Sequence, residues 1–265
     1  MEKIVIGTKT DPLRLAFGIQ QINFSPIFNG CPGMEFPVIT NDKNNHLQSF
    51  QWGYLLKRKV NRVVNFAPCN GIIKNEGFRD AIRIRRCIIP VNCFIVADKE
   101  EKYLVYSEKS RMLGMAGVYM KVKEETGAVN CYFCILTQPP NELLSFLNQS
   151  FQPLLFDIQK SKDWVQDSPH LNQFTNLMKD QYPARQMNAY KIAGLINNKN
   201  LNDSQLLLPI GPKVKIEVEL PCERNGTKKN KGAQVYTIPK TVLFKGSGTF
   251  IKDYDEKPVS SWWSE

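Results

Sequence analysis

The sequence predicts an α+β protein built on a mainly antiparallel sheet, and three observations carry that reading. Six segments alternate or run apolar at strand length, three others carry helical spacing, and the two kinds do not alternate as βαβ units. Phe36–Thr40 and Ser49–Leu56 come first, rich in aromatic and β-branched residues. Cys87–Ala97, Tyr103–Ser107, Met115–Val122 and Val129–Thr137 follow as further strands. Pro140–Asn148 then reads as a helix, with Asn141 as N-cap before Glu142, Leu143, Leu144, Phe146 and Leu147. Gln159–Val165 and Pro169–Lys179 are two more, the second placing Leu171, Phe174, Leu177 and Met178 on one face.

From Lys213 the character changes. Val214, Ile216, Val218 and Leu220 alternate with Lys215, Glu217 and Glu219, and Asn225-Gly226 sits in a lysine-rich loop. Strand-like pieces recur at Gln234–Ile238 and Thr241–Phe244, so residues 213–265 are expected to form a small C-terminal β extension to a domain spanning 1–212. The extension ends in Trp262-Trp263, a pair suited either to a protein partner or to docking on the chain itself.

A hydrophobic content of 42% and a charged content of 23% are ordinary for a globular chain. No apolar run reaches membrane-spanning length, and Met1–Gly7 lacks the long apolar stretch of a signal peptide, so a cytoplasmic protein is expected. The seven cysteines are scattered and mostly flanked by apolar residues, which fits reduced core thiols. Cys131 and Cys134 have C-x-x-C spacing, but on a strand residues three apart face opposite ways. His46 and His170 have no clustered partners, so neither a metal nor a cofactor is expected.

The segment Gln51–Pro90 is the most informative. Lys57, Arg58, Lys59, Arg62, Lys74, Arg79, Arg83, Arg85 and Arg86 stand against Glu76 and Asp80 alone, a net +7 out of the chain's +10. A single charge run is ordinarily a solvated face. Two basic clusters flanking Trp52-Gly53-Tyr54 and Asn65 favour a polyanion site instead, because neutralising phosphates releases condensed counterions.

The order of landmarks resembles one family, the SRAP (SOS response-associated peptidase-like) domain, which senses abasic sites in single-stranded DNA. Its pattern runs through Asn-Val-Ala-Pro, Trp-Gly-Leu, Asn-Ala-Arg-x-Glu-Thr, Arg-Arg-Cys-Leu-Ile-Pro, a Phe-Thr-Ile-Leu-Thr strand, His-x-Arg-Met-Pro and a late Leu-Leu-x-Pro. The chain offers Asn23-Phe24-Ser25-Pro26, Trp52-Gly53-Tyr54, Asn65-Phe66-Ala67-Pro68-Cys69-Asn70 and Arg85-Arg86-Cys87-Ile88-Ile89-Pro90. It continues with Phe133-Cys134-Ile135-Leu136-Thr137, Gln149-Ser150-Phe151-Gln152-Pro153 and Asn202–Pro209. The resemblance implies antiparallel, barrel-like sheets with a few peripheral helices.

It also implies a chemistry whose residues are replaced here. SRAP enzymes trap the aldehyde of an abasic sugar with the amine and thiol of a cysteine directly after the initiator Met, giving a thiazolidine. That position is Glu2, whose bulk is expected to keep Met1 attached. The family's acid/base glutamate falls on Val96 and its histidine on Gln149, neither of which titrates usefully. The arginine and glutamate of the Asn-Ala-Arg segment fall on Ala67 and Cys69; Asn65 keeps its identity. Cys69 and Cys93 are candidate substitute nucleophiles, against the ordinary use of such cysteines as unreactive small hydrophobes.

For DNA, Trp52, Tyr54 and Phe94 offer π-faces, Asn65 an amide, and Lys57, Arg58, Lys59, Arg85 and Arg86 positive charge. Trp52 is expected to be partly buried with one edge exposed, since it precedes a glycine that lets the chain turn. The first functional expectation is a catalytically degenerate SRAP-like protein that binds single-stranded or damaged DNA without covalent chemistry. The alternatives are an abasic-site crosslinking enzyme with a substitute nucleophile, or an interaction module that has left DNA.

Overall fold

The apolar run that begins at Cys87 is not one strand but two, and the break between them divides the molecule. The computed structural model describes residues 1–7, 17–19, 24–56, 62–167 and 171–215. In chain order the first strands are β1 (Lys3–Ile6), β2 (Ile27–Gly30), β3 (Glu35–Thr40), β4 (Lys43–Trp52), β5 (Tyr54–Leu56), β6 (Arg62–Val64) and β7 (Phe66–Pro68). Helix α1 (Glu76–Ile84) precedes β8 (Arg86–Val91), β9 (Cys93–Asp98), β10 (Glu101–Ser107), β11 (Leu113–Lys123) and β12 (Val129–Gln138). Then come α2 (Glu142–Phe146), β13 (Gln152–Pro153), β14 (Leu155–Phe156), α3 (Ile158–Val165), α4 (Leu171–Leu177), β15 (Met187–Ile192) and β16 (Pro209–Lys215). Beyond Lys215 the expected C-terminal extension, Trp262-Trp263 included, lies outside the described residues.

β12, β4, β3, β8 and β11 pair in turn and β11 pairs back onto β12, which closes an antiparallel barrel-like ring with β7, β13 and β14 attached. The one parallel seam within the ring lies between β12 and β4, where Tyr132 faces Gln51 and Phe133 faces Trp52. β9 leaves the ring for a second, antiparallel sheet in the order β16-β15-β10-β9-β1-β2. Asn92 makes the transition: its side-chain oxygen accepts from Gly7 N at 2.6 Å, and its amide nitrogen donates to Arg111 O at 2.7 Å.

Strand alternation sorts the side chains into layers. Phe94 and Val96 of β9 face the interior shared with Phe36, Trp52 and Phe133, whereas Cys93 and Ile95 face a layer with Tyr190, Ile196 and Leu207. The helices cover the outside of the ring, where Phe78, Ala81 and Ile82 of α1 meet Trp164 of α3 and Phe174 of α4. On β12, Cys131 packs toward the interior and Cys134 toward the helices, so the two thiols face different layers. The six described cysteines are all free.

α1 was not legible as a helix, although Asn75 caps it by accepting from Gly77 N at 3.1 Å. Directly after it comes Arg86, fully buried beneath α3 and α4. Its Nε donates to Trp164 O at 2.8 Å and Nη2 to Gln166 O at 2.8 Å. Nη1 donates to Ile82 O at 3.0 Å and also to Arg83 O. The guanidinium therefore binds the carbonyls at the C-terminal ends of both α1 and α3, where helix dipoles leave negative partial charge. It lies 3.6 Å from the centroid of the Phe174 ring. No carboxylate is within salt-bridge distance of it among the described residues. Burial lowers its pKa to about 10, which leaves it charged at neutral pH. Arg86 is thus a structural residue, and its assignment to DNA is corrected: no phosphate reaches a guanidinium enclosed this way.

Replacing Arg86 by Met is expected to cost at least about 3 kcal/mol of stability, since it strands buried helix-end carbonyls. Chemical denaturation by circular dichroism reads the loss; a change below about 1 kcal/mol contradicts this role.

Candidate functional site

Of the residues aligned with the SRAP pocket, Val96 lies in the interior and Gln149 meets the chain start, whereas Ala67 and Cys69 face the helical layer. The chain start runs antiparallel to β9, with Glu2 N donating to Ile95 O at 2.8 Å. This register carries the Met1 amine to Gln149, whose Oε1 accepts from it at 3.1 Å. Gln149 follows α2 and Asn148, a non-glycine residue at φ 53°. Its Nε2 donates to Ala97 O at 2.6 Å and Leu147 O at 2.8 Å, which leaves Oε1 as the group turned toward the amine. Burial lowers the Met1 amine from 8.0 to about 6, partly offset by Glu2, so near pH 7 it is largely neutral.

Glu2 does not enter the pocket. It forms an ion pair with Lys102 Nζ at 2.7 Å. Val96 is 1% exposed in the shared interior, and Phe94 is equally enclosed. The thiols fare no better as nucleophiles. Burial pushes Cys69 up to about 12, and it raises the fully buried Cys93 well above the ordinary thiol range. The substitute-nucleophile reading of these two cysteines is therefore corrected on physical grounds.

Asn65 stands between β6 and β7, half-buried. Its backbone oxygen accepts from Trp52 Nε1 and from Ile135 N, both at 3.0 Å. Its side-chain Oδ1 is buried with no hydrogen-bond partner among the described residues. Phe66, the next residue, lies on Trp52 edge to face (5.5 Å, 89°) and contacts Phe151 (5.2 Å, 49°). Both rings are half-buried, and sequence reasoning had assigned neither to the site. The legible signal was spacing: Phe66 follows Asn65, and Phe151 lies two residues beyond Gln149.

Trp52 itself is fully enclosed, with no exposed edge. The indole stacks parallel to Phe133 (6.4 Å, 9°) and meets Phe36 edge to face at 5.7 Å. Gly53, at φ 152°, turns the chain so that β5 leaves the ring. Tyr54 is buried beneath α1, its hydroxyl donating to Gly77 O at 3.1 Å and its ring 5.1 Å from Phe78. Trp52, Tyr54 and Phe94 thus offer no free face for a base, which corrects their reading as stacking residues. The same burial logic governs all three: each sits on a strand face that points into a packed layer.

The positive surface is what remains of the basic clusters. Lys57, Arg58 and Lys59 lie outside the described residues; Arg62, Lys74, Arg79 and Arg83 are exposed; Arg85 is half-buried. A separate cleft of about 470 Å³ beside β3 and β4 is lined by Glu35, Asn45, His46 and Ser49 among others, with no lysine or arginine. Among the described residues no group of three potential ligands could hold a metal, and no helix is long and apolar enough to cross a membrane.

The closed antiparallel ring with its covering helices is an SRAP-like architecture. The SRAP family model, described as SOS response associated peptidase, matches residues 3–199, and the chain belongs to that family. It is 23% identical over 219 residues to the abasic site processing protein YoqW of Bacillus subtilis strain 168, covering 77% of this chain and 97% of that one. The abasic site processing protein YoaM of the same organism is 25% identical over 195 residues, covering 69% and 85%. Among solved structures, a Bacteroides thetaiotaomicron protein superposes with a TM-score of 0.66 at 19% identity, covering 77% of this chain and 97% of that chain. A phage-related protein from Bordetella bronchiseptica gives 0.61 at 14%, covering 72% and 94%.

Trp52→Ala is expected to cost about 3–5 kcal/mol of folding stability through the cavity it opens. Chemical denaturation followed by circular dichroism checks this; a loss below about 1 kcal/mol reverses the assignment.

Proposed function

We propose that this chain recognises abasic or otherwise damaged single-stranded DNA non-covalently, as an SRAP protein whose thiazolidine chemistry has been lost. The observation that carries the reading is the state of the pocket. Asn65 keeps its identity, with a buried acceptor oxygen that has no partner among the described residues, while Glu2 pairs outward with Lys102 and Val96 is packed in apolar surroundings. A thiazolidine needs amine and thiol on one residue; of the thiols considered as substitutes, Cys93 is buried and Cys69 half-buried, and burial raises the pKa of both. Relatives named for abasic site processing supply the lesion class. The formal charge of +10 supplies the general affinity for phosphate. The six described cysteines, all free, fit a reducing, cytoplasmic setting.

The Met1 amine favours a second reading, in a chain that keeps Met1 as its first residue. Its lone pair would attack the aldehyde carbon of an open abasic sugar, and loss of water from the carbinolamine would leave an imine. With no thiol to close a ring, that imine reverts by hydrolysis.

Incubation with an abasic single-stranded oligonucleotide is therefore expected to give no heat-stable adduct on a denaturing gel or by intact mass. Under cyanoborohydride, which reduces an imine to a secondary amine, a product mapping to Met1 would support the second reading. Its yield is then expected to climb as the amine loses its proton through about pH 6. A heat-stable adduct without reductant overturns the degenerate reading.

Binding to an unmodified single strand is expected to weaken by about 0.7 log units per phosphate contact for each log unit of salt. Replacing Lys57, Arg58 and Lys59 together by Ala is expected to flatten that slope. An unchanged slope moves the phosphate contacts elsewhere, and no binding at low salt favours the interaction-module reading.

A further inference from the structure

We propose that Phe66 and Phe151 form the platform on which a base flanking the abasic site stacks, an inference that rests on the DNA reading above. The two rings come from separate parts of the chain. Phe66 opens β7 and faces Ile135 of β12, while Phe151 precedes β13, whose Pro153 faces Thr137 of the same strand. Their contact at 5.2 Å therefore joins the Asn65 segment to the Gln149 segment.

The pair differs from the aromatic residues beneath it. Phe36, Trp52 and Phe133 are fully buried, whereas Phe66 and Phe151 are only half-buried and keep ring surface in solvent. Phe66 rests on the indole of Trp52, which the barrel holds rigidly, so little conformational freedom remains for a ligand to freeze. A rigid, partly exposed aromatic surface beside a polar group suits an unpaired base, because every base has a π-face. Asn65 supplies that polar group: its Oδ1 is a buried acceptor with no partner among the described residues, on the residue that precedes Phe66.

The platform would hold the strand by stacking at this point and leave phosphate attraction to the exposed basic residues. A base paired in a duplex presents no free face, so the platform selects single strands. Purines, with the larger π-surface, are expected to bind more tightly than pyrimidines at the flanking position.

The test uses a single-stranded oligonucleotide carrying a tetrahydrofuran abasic analogue, which has no aldehyde and forms no imine, with 2-aminopurine beside it. Binding to the full chain is expected to quench the 2-aminopurine emission. Phe151→Leu is expected to abolish the quenching and weaken binding roughly 5- to 140-fold, the range for one stacked base. Phe151→Trp is expected to restore both. Phe66→Leu is expected to act in the same direction, but Phe66 also supports Trp52, so Phe151→Leu, checked for an unchanged melting temperature, is the deciding variant. Wild-type binding without quenching, or quenching and affinity unchanged in Phe151→Leu, overturns the platform while leaving DNA recognition standing. No binding of any oligonucleotide by the wild type overturns both.

Discussion

The seam at which Trp52 meets Phe133 is the contact on which the rest of the molecule depends. The ring closes there through a short parallel pairing, in which β12 and β4 supply few backbone hydrogen bonds. Side-chain packing makes up the difference: a parallel stack of indole on phenyl, braced by Phe36 and Phe66 edge to face. The indole N–H then reaches Asn65 O, which fixes the backbone of the segment carrying the pocket's retained amide. Core and site are thus a single construction. The position of Asn65 follows from how the barrel closes.

Arg86 plays the corresponding part outside the ring. One guanidinium satisfies carbonyls at the ends of two helices and presses against Phe174, so the helical layer is attached through a cation with no carboxylate in salt-bridge contact among the described residues. A carboxylate in its place would repel those helix ends, and a lysine could not span both, because its donors radiate from one point. The density of positive charge in this part of the sequence therefore overstates the field available to a ligand.

The fold was largely legible in the sequence because strand alternation and N-cap chemistry are local signals. Asn141 caps α2 where expected, its Oδ1 accepting from Leu144 N at 3.0 Å. Asp157 caps α3 in the same way, accepting from Lys160 N at 2.9 Å. Local signals failed where a tertiary demand decided. The break at Asn92 lies inside an apolar run, and only its hydrogen bonds to Gly7 and Arg111 reveal a strand changing sheets. α1 was hidden because Arg79, Asp80 and Arg83 read as charge, although Phe78, Ala81 and Ile82 sit at helical spacing. The pocket was legible as a set of positions, since the order of motifs is a property of sequence. Which aromatic residues line it was not: Trp52 and Phe66 are equally apolar in sequence, and only barrel closure places one inside and the other at the rim.

The packing around Val96 constrains what position 96 can hold. A carboxylate there would lose its hydration inside a closed apolar interior. A cysteine at position 2 would in turn give up the Glu2–Lys102 pair, and the amide of Gln149 is tied to two backbone carbonyls. Reactive groups introduced at these positions would therefore be set against folding stability, one position at a time.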